Sequence, residues 1–239
     1  MNERRATRWI RLPAAIVLAF LVFAPAGAIT EAIGAHVPDG WPAKEWLTTS
    51  VFQLLMLVLA LVYMLLIGRG RLGRFGFTRG SHFPGWAVVK WVFLAEAFVT
   101  VAFLPFAKEG PGHFAGDYTW WQMLIGVYLI ASSVEEVITR GLVQGFLDPL
   151  KESGVRMGSL FFSAPVLTAA FLFSAMHVPL LVMGIGTVLG IEILVSTFFL
   201  GLIAGHYRER TGSLLPAIFA HMLANAFGSG LAALTELIG

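Results

Sequence analysis

Three strings in the second half of the chain put ionisable and amide side chains among apolar residues: Ser-Ser-Val-Glu-Glu-Val-Ile-Thr-Arg at 132–140, Phe-Ser-Ala-Met-His at 173–177 and His-Met-Leu-Ala-Asn at 221–225. A carboxylate and an imidazole at one site can share the deprotonation of a water, and a second imidazole with a carboxamide can hydrogen-bond a developing oxyanion. Those are the parts of a hydrolase for amide bonds that needs no Ser or Cys nucleophile. Glu135 is the candidate base, with His177, His221 and Asn225 as its catalytic companions. Glu136 and Arg140 are four apart, share one face of a helix and suit a supporting ion pair. Glu135 points about 100° away from that pair. With no adjacent cation to hold its charge, it is suited to accept a proton from water.

These residues have to be carried by membrane-spanning helices. The chain has 239 residues, of which 57% are hydrophobic and 13% charged, with no cysteine and a mean hydropathy of +0.80. A soluble domain carries about a quarter charged residues, so this chain lacks the charge to coat a surface in water. The absence of cysteine excludes disulfides, thiolate metal sites and a cysteine nucleophile. Apolar runs long enough to cross a bilayer lie at 12–35, 50–67, 85–106, 120–147, 165–185, 187–207 and 213–238. The pattern predicts an all-α polytopic membrane bundle of about seven helices, folded as a single membrane domain over 1–239. Val37–Glu45, with Pro38, Asp39, Gly40 and Pro42, reads as a loop. The stretch 149–164 reads as an interfacial elbow.

Arg4, Arg5, Arg8, Arg11, Arg69, Arg71, Arg74, Arg79, Lys151, Arg156, Arg208 and Arg210 fall on one side of that topology, and only Lys44 and Lys108 on the other. By the positive-inside rule the N-terminus is cytoplasmic and the C-terminus outside. Residues 1–28 also read as a secretory signal, with small-residue cleavage patterns at 24–26 and 26–28. An uncleaved first span is preferred, because the apolar character continues through Ile29 and Ile33.

Counted at 1.5 Å per residue from the cytoplasmic ends of their spans, Glu135, His177 and Asn225 lie about 18 Å deep and His221 about 12 Å. Four polar residues from three spans therefore fall in one layer. An ionised group at mid-bilayer costs at least about 2.5–3.5 kcal/mol on insertion scales, which makes each a functional candidate.

The ordered series Glu-Glu-x-x-x-Arg, Phe-x-x-x-His and His-x-x-x-Asn on separate membrane helices resembles the CPBP family of intramembrane proteases, which includes the type II CAAX prenyl endopeptidases and bacteriocin-processing proteins. The approach to the third motif, Thr-Gly-Ser-Leu-Leu-Pro at 211–216, is similar to that family too. The resemblance covers about 120–227, the expected catalytic core, and leaves the N-terminal helices at 12–106 without a role. It implies that Glu135 and His177 activate the water, that His221 and Asn225 stabilise the oxyanion, and that Glu136, Arg140 and Phe173 support them. It also implies a membrane-associated peptide or protein substrate and a multi-pass protein of the cell membrane.

A metal-free mechanism is preferred, because His-Glu-x-x-His is missing. Glu135, His177 and His221 are the alternative as an open zinc site. Buried Glu, His and Arg also mark ion pathways, so a proton-coupled transporter is one rival and a non-catalytic membrane scaffold another. Nothing calls for a nucleic-acid partner, and oligomeric state is open. Lys90, Glu96 and Glu192 lie in spans with no assigned part. His36, His82, His113 and His206 read as surface residues, and Trp41, Trp46, Trp120 and Trp121 as interfacial anchors.

Overall fold

Runs of about twenty apolar residues have no water to satisfy their backbone within a bilayer, so they close their own hydrogen bonds as helices. The computed structural model describes residues 9–41, 43–106, 118–182 and 184–238, without the side chains from 231 onward. Arg4, Arg5, Arg8, Pro42, Lys108 and His113 lie outside the described residues. The chain forms α1 (Arg11–Gly34), α2 (Lys44–Gly68), α3 (Gly85–Phe103), α4 (Trp120–Phe146), α5 (Ala164–Ala175), α6 (Pro179–Val182), α7 (Thr187–Thr211) and α8 (Leu215–Ile238). Six segments are long and apolar enough to cross a membrane: α1, α2, α3 with its one-turn extension to Phe106, α4, α5 with α6, and α7. The 24-residue α8 completes the all-α polytopic bundle. Phe20, Leu66, Phe98 and Phe171, on four different helices, are each more than 60% exposed. Lipid, not water, is the medium that such a surface fits.

Helix α4 is the hub. Its Val134, Val137, Ile138 and Leu142 pack with Leu18, Val22 and Ala26 of α1 and with Met56, Ala60 and Met64 of α2. Further along, Val143 and Leu147 meet Ala15 of α1 and Ala169 of α5. A second core joins Val88 and Val92 of α3, Phe173 of α5, Leu200 and Ala204 of α7, and Ala217, Ala220 and Ala224 of α8. The N-terminal helices therefore share the core of the region that carries the motifs.

Several expectations change. The loop before α2 is shorter than the turn formers suggest, since the helix already starts at Lys44. The elbow contains an antiparallel hairpin, β1 (Gly154–Met157) with β2 (Leu160–Ser163), registered with Gly154 opposite Ser163. Ser163 then caps α5, its hydroxyl accepting from the Val166 N–H at 3.3 Å. The fifth span is not one helix, because α5 stops at Ala175 and Met176–Val178 form a turn before α6. Pro179 disfavours helical backbone at Val178, which accounts for a break here.

The sixth span runs four residues past Tyr207 to Thr211, so Arg208 is a buried helix residue and not a loop charge. His206 is half-buried, edge-on to Phe162 and Tyr207. Trp46 and Trp121 pack edge-to-face at 5.4 Å.

Helix α4 departs furthest from expectation. Met123–Ala131 and Val137–Val143 are π-helical, flanking a single α-helical stretch at Ser132–Glu136. The i→i+5 pattern is wider and rises less per residue than an α-helix, so depth counted at the α-helical rise overstates how far Glu135 lies from the end of its span. Long π-helical segments are rare and accompany functional sites.

The turn before α8 is clasped by the α2–α3 connection. Leu214 N donates to the Gly76 carbonyl at 2.9 Å, Ser213 Oγ to the Thr78 carbonyl at 2.7 Å, and Thr78 Oγ1 to the Gly212 carbonyl at 2.7 Å. Gly212 ends α7 at φ 71°, in the left-handed region that glycine adopts without cost.

Candidate active site

Glu135 and Glu136 stand on the α-helical stretch between the two π segments of α4. Glu136 and Arg140 are fully buried, with Arg140 Nε 3.2 Å from Glu136 Oε2. The two atoms are not aligned for a hydrogen bond, so this contact is an ion pair. Arg140 Nη1 donates to Thr139 Oγ1, which in turn donates to the Glu135 carbonyl at 2.6 Å. The Arg140 guanidinium also sits over the Phe173 ring, 4.5 Å from its centroid. That cation–π contact stabilises a charge removed from water.

His221 enters from α8 with both ring nitrogens facing acids. Nδ1 lies 3.0 Å from Glu136 Oε1, and Nε2 lies 3.9 Å from Glu135 Oε2. A carboxylate held by an arginine can only accept, so Nδ1 carries a proton and points it at Glu136. Glu135 is therefore not isolated, as its angle on an ideal helix suggests, but faces the outer nitrogen of His221.

His177 sits in the turn after α5. Its Nδ1 is 2.9 Å from the Phe173 carbonyl, which can only accept, so Nδ1 is the protonated nitrogen and Nε2 is left as a base. The Phe173 ring has the rings of His177 and of His221 edge-on, each centroid at 5.2 Å. One aromatic ring thus touches side chains from all three motifs. Asn225, one turn beyond His221, donates through Nδ2 to Ser132 Oγ at 2.9 Å. Ser132 Oγ donates onward to the Val127 carbonyl at 3.2 Å.

Several contributors escape a reading of the strings alone. Ser132 precedes the paired glutamates and holds Asn225. Gln144, fully buried, donates to the Gly205 carbonyl at 3.0 Å and ties α4 to α7. At Gly201 of α7 a Cβ would stand 2.7 Å from Ala170 Cα and 3.1 Å from Arg140 Nη2, so only glycine lets α7 approach the arginine. Glu96 of α3 has both carboxylate oxygens within 2.9 Å of Ser196 Oγ on α7, and Glu192 lies one turn away on the same helix. Lys90 lies 5.7 Å from the Trp91 ring centroid.

The donor set for zinc does not gather. Among the described residues no group of three His, Asp or Glu side chains is arranged to hold a metal ion. His177 and His221 each use Nδ1 in a hydrogen bond, to a backbone carbonyl and to Glu136, and keep Nε2 for other chemistry.

Residues 117–227 match the family described as Type II CAAX prenyl endopeptidase Rce1-like, a stretch that holds all three motifs and the helices α4 to α8 as far as Phe227. No curated protein and no solved structure matches the chain. The motifs, the membrane helices that bear them and the match agree, and residues 117–227 of this multi-pass membrane chain are similar to the Type II CAAX prenyl endopeptidase Rce1-like family.

Proposed function

We propose that the protein is an intramembrane endopeptidase that hydrolyses a peptide bond in a membrane-associated or lipidated substrate with water activated by Glu135 and His177. The observation that carries this reading is the position of His221, with Nδ1 3.0 Å from Glu136 and Nε2 3.9 Å from Glu135. A gap of 3.9 Å is too wide for a direct hydrogen bond. It suits a reacting oxygen lying between the carboxylate and the imidazole.

In the proposed sequence Glu135, assisted by His177 Nε2, takes a proton from water as the water oxygen bonds to the scissile carbonyl carbon. His221 acts as an imidazolium. Glu136 holds Nδ1–H, and Nε2–H donates to the oxyanion as charge develops there. Asn225 Nδ2 is the second donor once it exchanges Ser132 Oγ for the oxyanion. Collapse of the tetrahedral intermediate breaks the C–N bond, and the proton held by Glu135 passes to the departing amine. Arg140 pairs with Glu136, and Phe173 spaces the two imidazoles.

This route is written without a metal. The protein is proposed to lie in the cell membrane with its N-terminus and its arginine-rich loops on the cytoplasmic side.

The test is cleavage of a candidate membrane substrate by the intact protein, compared with Glu135→Ala and His221→Ala variants shown to insert and fold. Loss of processing by about 10²–10⁴ fold is expected for Glu135→Ala. Unchanged processing in both variants contradicts the peptidase reading and favours a scaffold or a carrier. Loss of activity on chelation, restored by zinc, overturns the metal-free route.

A further inference from the structure

At the end of α4 farthest from Trp120, a cavity of about 170 Å³ opens between the start of α1, the end of α2 and the turn at Leu72–Phe75. Arg11 and Arg74 supply its positive charge, Asp148 its negative charge, and Ile67, Phe75 and Phe146 its apolar walls. Arg11 is fixed at the rim. Its Nη1 donates to the Phe146 carbonyl at 2.9 Å, and its guanidinium lies 5.1 Å from the Phe146 ring centroid. Five N–H donors sit on a guanidinium, so most of the fork is left for a ligand.

Arg74 is exposed, and none of the ion pairs among the described residues uses it. Behind it stands Arg208, only 6% exposed, whose Nη2 donates to the Arg74 carbonyl at 3.2 Å. Arg208 Nε has no hydrogen-bond partner among the described residues. A Cβ on Gly145, in the cavity wall, would stand 3.2 Å from Arg208 Nη2, so the third guanidinium lies directly beneath the lining. Asp148 offsets one of these charges but also faces Lys151, 3.9 Å away.

Two arginines with unused donors line the cavity against one carboxylate, Asp148, and a third, Arg208, stands behind them next to Glu209, which makes a site for an oxyanion. The neighbourhood says which kind. Ile67 of the lining is 37% exposed and its neighbour Leu66 is 69% exposed, an apolar surface at the end of α2 that suits lipid. Arg69 and Arg71, in the connection that also carries Arg74, and Lys151, three residues after Asp148, add positive charge next to the lining in sequence. Basic pockets between helices at such an interface take lipid headgroups.

We infer that this cavity binds the phosphate of an anionic phospholipid, with Arg11 and Arg74 on the phosphate and the acyl chains running along Leu66 and Ile67. The bound lipid bridges α1 and the α2–α3 turn, which lie outside 117–227, to the end of α4, which carries the paired glutamates. The inference stands whether or not the chain cleaves peptides.

The test uses the purified full-length protein in lipid nanodiscs and native mass spectrometry. Released protein should retain phosphatidylglycerol in preference to phosphatidylcholine. Each arginine near an anionic surface contributes about fivefold to such a preference, so Arg74→Ala should lower it about fivefold and Arg11→Ala/Arg74→Ala further. Arg74→Ala is expected to fold, because its side chain holds nothing in the protein. Arg156→Ala, in the hairpin, should keep the full preference. The same lipid should raise the melting temperature of the wild type and not of Arg74→Ala.

Equal phosphatidylglycerol retention by wild type and Arg74→Ala overturns the inference, as does an equal loss in Arg156→Ala, which would mark diffuse charge attraction. A melting shift reproduced by inorganic phosphate in phosphatidylcholine discs would assign the cavity to a free phosphate and overturn the lipid. No such shift is expected.

Discussion

His221 reaches the site from the interior of a 24-residue helix with both ring nitrogens facing carboxylates, whereas His177 lies in the three-residue break between α5 and α6 and is held only by the carbonyl of Phe173. The two walls around Phe173 differ accordingly. The wall made by α4 and α8 is a buried set of charges whose members fix one another, with Glu136 and Arg140 shielded completely. The wall made by α5 is a helix end, half-exposed and free of ion pairs among the described residues. Rigidity is concentrated where charge has to be held out of water. His177, the proposed partner of Glu135, stands in a turn between two helices, its backbone held by hydrogen bonds of i→i+3 type.

The largest way to break this contrast is Arg140→Ala. Removing one partner of a fully buried pair leaves Glu136 uncompensated and should cost about 3–5 kcal/mol, read as a fall in melting temperature of the detergent-solubilised protein. A loss no larger than that of an exposed arginine such as Arg79 would mean that Glu136 is not ionised.

Gly201→Ala should cost about 1–3 kcal/mol through overpacking against Ala170 and the guanidinium, without removing any ionisable group. Thermal unfolding of the two variants side by side separates lost charge from lost space.

The imidazoles should then diverge. His221→Ala strips a charged partner from Glu136 and should destabilise by about 1.5–3 kcal/mol, while His177→Ala loses one bond to a backbone carbonyl and should cost about 0.5–1.5 kcal/mol. Equal losses would erase the distinction between the walls. On the same scale as His177→Ala, Ser132→Ala should cost about 1 kcal/mol. By releasing Asn225 Nδ2, it tests in the cleavage assay whether that amide is tethered between turnovers.

Much of this was legible in the residue order, for identifiable reasons. The spans followed from runs that only a bilayer accommodates, and the Glu136–Arg140 pair from a spacing of four. The break at Met176–Val178 interrupts a run that reads as one span, and its one local mark is Pro179, which disfavours helical backbone at Val178. The π segments of α4 left no such mark. They decide which glutamate meets which nitrogen of His221, and so the partner of Glu135 was not readable. Contacts across many residues, Asn225 to Ser132 and Ser196 to Glu96, depend on helix rotation and not on local pattern. The same holds for Arg208, a loop charge by sequence and a buried helix residue in the fold.

The central claim is that Glu135 is the base for a water beside His221. The most direct measurement is the single-turnover cleavage rate of one membrane substrate by the wild type, by Glu135→Gln and by Glu192→Gln in the same bilayer. Glutamine keeps the shape and removes the proton acceptor. The account predicts a fall of about 10²–10⁴ fold for Glu135→Gln and a rate close to the wild type for Glu192→Gln. A Glu135→Gln enzyme that turns over at the wild-type rate would contradict it.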